Sequence, residues 1–142
     1  GMAKQYKVTR FRKAVNRTAS VMARLGKGPS WELTVTGRRS GEPRTVPVTP
    51  VDLDEARYLV APYGAVAWVH NIRAAGEATL RRGGSTDRIT VTEVDAQEAG
   101  PVLTVYFKAL ERIVGAYFDV PKEPTVEDFI AVADNHPVFR VN

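Results

Sequence analysis

Three arginines cluster around a short turn between two strand-like segments of the sequence. The string TGRRSG, residues 36–41, separates segment 31–35 from segment 43–48, and Arg44 stands at the start of the second one. A glycine-flanked turn exposes successive backbone N–H groups, and adjacent guanidiniums suit a phosphate or a carboxylate. The pattern therefore predicts an anion site at a hairpin tip; the alternative is a basic tip that is only solvated.

Other binding motifs and metal sites are not indicated. The glycine spacing does not match a dinucleotide fingerprint, and no Walker-type lysine motif occurs. The chain has no cysteine and only two histidines, His70 and His136, which lie far apart in sequence. We therefore predict neither a metal site nor a cysteine nucleophile, and we expect His136 to position the last strand.

The elements around the turn read as short strands. Leu33 and Val35 alternate with threonines, the period of a half-buried strand. Prolines 43, 47 and 50 indicate that the next strand is an edge or irregular strand, because proline cannot donate to a ladder. Six strands are predicted in all, over residues 31–35, 43–48, 57–61, 77–82, 87–95 and 137–141.

Helices separate or follow these strands. One is predicted over about residues 66–75, closed by Gly76, and another over 125–134, opened by Thr125 and Asp128. Asp95 and Glu98 could also form a capping box. Because Gly100-Pro101 interrupts that pattern, we place the start of the long helix at Pro101.

Composition indicates one domain over residues 1–142, since 44% hydrophobic residues suffice for a core. No apolar run approaches a membrane span and no signal peptide is recognisable, so we expect a cytoplasmic protein. Residues 4–27 carry eight Lys and Arg residues and no acid, with apolar residues at helical spacing. This basic helix could dock on the core, contact an anionic membrane peripherally, or cover an anionic ligand. Nucleic acid is not an expected partner, because no zinc-finger spacing occurs and aromatics are only 8%.

Several strings of the chain together resemble the deazaflavin-dependent nitroreductase family. They are Leu33–Pro47, Ala61-Pro-Tyr-Gly64, Ala67–Ala74 with its Trp-x-x-Asn element, and Pro137-Val-Phe139. The resemblance implies an α+β split β-barrel of the FMN-binding type, with about six strands, an N-terminal amphipathic helix and flanking short helices. It also implies reduced coenzyme F420 as the cofactor, with FMN less favoured.

The resemblance assigns cofactor contacts residue by residue. The residues implied to bind the side-chain phosphate of the deazaflavin are Arg38, Arg39, Ser40, Gly41 and Arg44. The residues implied to contact the ring and its surroundings are Pro47, Ala61, Pro62, Tyr63, Gly64, Trp68 and Asn71. Trp68 and Asn71 are three residues apart, which places them on one face of a helix.

The implied reaction is hydride transfer from reduced deazaflavin to a small electrophilic acceptor: a quinone, a nitro compound or a conjugated enone or lactone. A hydrogen-bond donor would stabilise the charge that develops on the acceptor. Candidate donors on the substrate side are Tyr63, Thr49, Tyr106 and Tyr117, and His70 could deliver a proton. The alternatives are a non-catalytic carrier of an apolar ligand, an FMN-dependent oxidoreductase and a basic interaction module. Monomer and homodimer both stay open.

Overall fold

A computed structural model describes residues 30–142; the predicted basic helix over residues 4–27 and its membrane contact lie outside the described residues. The described part contains seven strands and three α-helices. The strands are β1 Trp31–Thr36, β2 Pro43–Val48, β3 Val51–Leu53, β4 Ala56–Val60, β5 Glu77–Arg82, β6 Ser85–Glu93 and β7 Val138–Val141. The helices are α1 Ala67–Ala75, α2 Ala96–Val114 and α3 Val126–Val132, with 3-10 turns at Gly115–Tyr117 and Ala133–Asn135. Among these residues, no helix is long and apolar enough to cross a membrane.

The two edge strands of the single antiparallel sheet are neighbours in sequence. The strand order β2-β1-β5-β6-β7-β4-β3 puts β2 and β3 at opposite ends, yet only Thr49 and Pro50 connect them. Seven flat strands would separate those edges by roughly 29 Å at about 4.8 Å per strand. The connection spans only about 10 Å. The sheet must therefore curl until its edges approach, which makes a barrel.

One strand was not predicted from the sequence, so the expected count of about six becomes seven. The additional strand, β3, has three residues and pairs with β4, with Val51 opposite Tyr58. Its turn uses Asp54 and Glu55, both with positive φ, and carries no glycine. The segment Val51-Asp-Leu53 follows Pro50 and is too short, at three residues, to establish a periodic signal. The predicted edge position of the proline-containing strand β2 is confirmed.

The predicted start of the long helix at Pro101 is wrong. Helix α2 begins at Ala96, because the Asp95 side chain caps it by accepting from the Glu98 N–H at 3.0 Å. Pro101 lies inside the helix and forfeits one backbone hydrogen bond. Gly100 lies at the contact between α2 and α3, where a Cβ would stand 2.5 Å from Cγ1 of Ile130. The close approach of α2 and α3 therefore requires this glycine.

The buried side chains form two clusters, one on each side of β4 and β7. The first packs α2 and α3 against the sheet and includes Val60, Leu103, Phe107 and Phe129. The second packs α1 inside the curled sheet and includes Leu33, Leu59, Trp68, Ile72 and Phe139. Strand β7, the last in sequence, pairs with both β6 and β4 near the middle of the sheet. The final strand therefore joins the two halves of the barrel.

Candidate functional site

The arginine turn has a defined backbone. The Gly37 N–H donates to the Glu42 carbonyl at 2.8 Å, and the Gly41 N–H donates to the Gly37 carbonyl at 2.9 Å. Gly41 has φ +73°, a conformation that glycine adopts without strain. A Cβ on Gly37 would stand 2.8 Å from the hydroxyl oxygen of Ser40. Ser40 also accepts from the Glu42 N–H at 3.1 Å, so its hydroxyl is a part of the turn's own structure.

Arg38 fastens this turn to helix α1. Its backbone N–H and its Nη1 both donate to Oδ1 of Asn71, at 3.1 Å and 2.8 Å. Asn71 is only 5% exposed, so this amide is committed to the contact. The structure thus brings together two residues that lie 33 positions apart, and helix α1 fixes where the turn sits.

Arg39 and Arg44 are placed differently from Arg38. All three arginines are exposed, and within residues 30–142 no salt bridge to a carboxylate involves any of them; the difference is that the Arg38 side chain is hydrogen-bonded to Asn71. Arg44 makes one long contact, from Nη2 to the Ser40 hydroxyl at 3.5 Å. The turn therefore presents three guanidiniums without a neutralising carboxylate in the described part of the chain, of which only that of Arg38 is held by a neutral amide, an arrangement suited to an anion.

Helix α1 divides its three candidate residues between the interior and the surface. Trp68 is buried and packs against Phe139, with ring centroids 5.8 Å apart. Asn71 is buried toward the arginine turn, while His70 is exposed on another side of the helix. Trp68 and Asn71 do share a face, as their spacing predicts. The helix ends as expected at Gly76, whose N–H donates to the Ile72 carbonyl at 2.8 Å.

A second group of candidates lies around the segment Ala61–Gly64 (the 61–64 loop), which precedes α1. Tyr63 is half-buried and meets Tyr117 edge to face, with centroids 4.8 Å apart. Tyr106 is buried, and its pKa is raised by that burial and then by the nearby Tyr63. Tyr106 is therefore a neutral phenol at physiological pH. The structure brings these three predicted tyrosines into one cluster, which we call the tyrosine cluster.

The two remaining candidates are Pro47, on β2, and Thr49, just beyond its end. Both are half-buried.

A surface cavity of about 440 Å³ starts beside the turn at Thr36 and crosses β5 and β6. It is lined by Thr34, Thr36, Glu77, Ala78, Thr79, Arg88, Ile89 and Thr90. None of the sequence-predicted site residues contributes to this lining. Among the described residues, no group of three or more histidine and acidic side chains could hold a metal ion.

Sequence reasoning missed one network of side-chain contacts that links a helix to the sheet. Glu98 accepts from Tyr58 at 3.0 Å and from Nη1 of Arg140 at 2.6 Å, and so ties α2 to β4 and β7. The hydrogen bond from Arg140 lowers the pKa of Glu98, and the bond from Tyr58 acts in the same direction. Tyr58 lies 40 positions and Arg140 lies 42 positions from Glu98, so no local pattern could have revealed this network.

Comparison with known proteins identifies the class. A family model described as F420H(2)-dependent quinone reductase matches residues 6–127, most of the chain. The chain therefore belongs to the F420H(2)-dependent quinone reductase family. It is an F420H2-dependent reductase, and the family implies coenzyme F420 as the cofactor. The comparison with curated proteins found no match.

Solved structures confirm the fold. One described as F420-H2 dependent reductase (FDR-A) is 21% identical with a TM-score of 0.56, over 80% of this chain and 94% of that one. A second, described as a domain-swapped dimer, is 21% identical with a TM-score of 0.57, over 80% of each chain. A FAD-binding protein from Mesorhizobium loti is 15% identical with a TM-score of 0.50, over 83% of each chain. The predicted α+β split β-barrel is confirmed.

Proposed function

We propose that this reductase holds the phosphate of F420 at the arginine turn and reduces a small electrophilic acceptor beside the tyrosine cluster. The observation that carries the proposal is the different use of the arginines in the turn. None of the three has a described carboxylate partner, but the Arg38 guanidinium is hydrogen-bonded to Asn71 at 2.8 Å, whereas Arg44 makes only a 3.5 Å contact with Ser40. A phosphate would supply the missing negative charge.

The turn fits such an anion. Arg39 and Arg44 would hold the phosphate by charge-assisted hydrogen bonds, while Gly41 and its positive φ keep the backbone open to a close approach. Arg38 would act indirectly, by fixing the turn to α1. Ser40, engaged with Glu42, would maintain the shape of the turn. Pro47, the 61–64 loop and Trp68 would border the ring, and Thr49 would lie at its edge.

When bound in its reduced form, F420 supplies a hydride. The chain's own contribution is then to orient the acceptor, exclude water and stabilise developing negative charge. Tyr63 is the preferred donor because it is half-buried and its ring is held by Tyr117. Tyr106, a neutral phenol, is the second candidate. His70 is exposed and could exchange a proton with solvent.

The acceptor classes implied by the family resemblance are compatible with this arrangement. Quinones, nitro compounds and conjugated enones or lactones all develop negative charge on an oxygen as they are reduced, which a phenol can stabilise. We propose a quinone as the first acceptor to test, since the family model is described by that activity. We also propose a homodimer, supported by a structural neighbour described as a domain-swapped dimer; light scattering of the purified protein would test it.

The experiment is a fluorescence titration of the protein with F420 and, separately, with FMN. We expect F420 to bind and FMN to bind at least tenfold more weakly, and reduced F420 to be reoxidised when menadione is added. Preference for FMN would favour the flavin-dependent alternative. Binding of F420 without turnover with any acceptor of the three classes would contradict the proposed reductase site.

Variants of the turn test the phosphate assignment directly. Arg39→Ala and Arg44→Ala should each weaken F420 binding by about 1–3 kcal/mol, the scale of a charge-assisted hydrogen bond. Arg112→Ala is the matched control, because Arg112 is exposed on α2 and its loss changes the net charge equally. A change below about fivefold in the dissociation constant, which corresponds to about 1 kcal/mol, for both turn variants would reject the assignment.

A further inference from the structure

His136 is buried beside the 61–64 loop. It is 3% exposed, and its Nδ1 lies 2.8 Å from the Pro62 carbonyl oxygen. A carbonyl oxygen only accepts hydrogen bonds, so Nδ1 must carry the proton and donate it. Burial lowers the pKa of His136, which favours the neutral imidazole with its single proton on Nδ1.

The ring of His136 is fixed from a second side. Phe118 stacks on it with centroids 3.8 Å apart and planes 14° from parallel. The preceding residue, Tyr117, is the one that packs against Tyr63. Two consecutive aromatic residues thus contact two neighbouring features of the site: one orients the histidine, and the other orients the tyrosine beside it.

The backbone around His136 holds the same loop at two further points. The Ala61 N–H donates to the Pro137 carbonyl at 2.8 Å. At Gly64, where φ is +90°, a Cβ would stand 3.5 Å from the Asn135 carbonyl oxygen. The 61–64 loop therefore lies along residues 135–137, and His136 supplies the side-chain hydrogen bond among these contacts.

We propose that His136 is a positioning residue of the reductase site: its Nδ1–H fixes the Pro62 carbonyl, and so sets the 61–64 loop that carries Tyr63 and Gly64. The expected effect of His136 on F420 binding rests on the proposed function. The role of His136 in fixing the 61–64 loop does not, because it concerns the ligand-free protein. An imidazole that served only to fill space could be replaced by an apolar side chain, whereas this role requires a donor at the δ position.

Three substitutions separate the hydrogen bond from the packing. His136→Asn keeps an N–H at the position of Nδ1, His136→Gln moves the amide to the position of Nε2, and His136→Leu keeps volume without a donor. Asn135→Ala is the matched control, because it alters the neighbouring exposed side chain and leaves the backbone contact in place.

The first readout needs no cofactor: amide hydrogen exchange at Ala61 and Gly64, both of which donate backbone hydrogen bonds. We expect exchange to be about tenfold faster in the Leu and Gln variants, as for a lost buried hydrogen bond, and close to wild type in the Asn and Asn135→Ala variants. Wild-type exchange in both the Leu and Gln variants, or equal acceleration in Asn and Gln, would overturn the proposal.

The second readout is F420 affinity in the same variants. We expect a loss of about tenfold for Leu and Gln and a near-wild-type value for Asn. If His136→Leu does not fold, the comparison of His136→Asn with His136→Gln tests whether a donor at the δ position is required. Faster exchange with unchanged F420 affinity would overturn the role in the site. If the wild-type protein binds no F420, the proposed function fails, and the exchange data still decide whether His136 sets the loop.

Discussion

The amide oxygen of Asn71 accepts two hydrogen bonds from Arg38, one from the backbone N–H at 3.1 Å and one from Nη1 at 2.8 Å. This pair joins the turn between β1 and β2 to helix α1. Because Asn71 is buried, losing its oxygen would leave two donors of Arg38 without their acceptor. The position of the proposed anion site therefore depends on a residue that need not touch the anion.

Asn71→Ala should destabilise the protein by about 1–3 kcal/mol, since it removes a buried acceptor of two hydrogen bonds. Urea unfolding measures this change. Arg38→Ala retains the backbone donor and should cost less. Equal losses of unfolding free energy in the two variants would show that the backbone bond contributes nothing. We also expect Asn71→Ala to weaken F420 binding, by displacing the turn.

Tyr63→Phe tests the proposed donor. The ring contact with Tyr117 is kept and only the hydroxyl is lost. We expect kcat for quinone reduction to fall by about 100-fold, the scale for removing one donor to a developing oxyanion, with F420 affinity nearly unchanged. Tyr58→Phe, which removes a phenol bonded to Glu98, serves as the control and should leave kcat near wild type. An unchanged kcat in Tyr63→Phe would show that the Tyr63 hydroxyl is not the hydrogen-bond donor to the acceptor.

Gly100→Ala should destabilise the protein although alanine favours helices. Its Cβ would meet Cγ1 of Ile130 at 2.5 Å, and overpacking of this kind costs about 1–3 kcal/mol. Gly115→Ala is the matched control: its Cβ would meet only Cγ of Glu111, at 3.4 Å. Thermal unfolding should show a lower Tm for Gly100→Ala alone. Equal Tm values for the two variants would mean that α3 moves away at no cost.

Glu98→Gln should change how stability depends on pH. The hydrogen bond from Arg140 lowers the pKa of Glu98 in the folded protein below its ordinary value of 4.5. Below that value the unfolded chain binds the proton more readily, so the wild type loses stability as pH falls through 4.5 toward the folded pKa. Above it, the stabilisation is complete.

Denaturant unfolding at several pH values between 7 and 3 measures the effect. The difference between wild type and Glu98→Gln should be largest above pH 5 and shrink as the medium becomes more acidic. Glu111→Gln, at an exposed position on α2, should follow the wild-type curve. A constant difference across the range would exclude Glu98 as a source of the acid sensitivity.

Local signals in the sequence predicted local structure well. The Gly76 end of α1 and the capping box of Thr125 with Asp128 both lie where residue types indicated. Errors arose where a long-range contact overrode a local preference. Gly100 reads as a helix breaker, but the approach of α3 explains its presence within α2.

The functional site shows the same difference between local motifs and long-range contacts. The residue types of TGRRSG and Arg44 predicted an anion site, because turn chemistry depends on a few neighbouring residues. Together with the Trp-x-x-Asn element they also resemble the deazaflavin-dependent nitroreductase family, and that resemblance implied an F420-dependent split barrel. Tertiary structure alone placed Asn71 on Arg38, His136 under Pro62, and Tyr106 with Tyr117 beside Tyr63. These contacts depend on how the sheet curls and where its last strand inserts, and no local spacing in the chain encodes them.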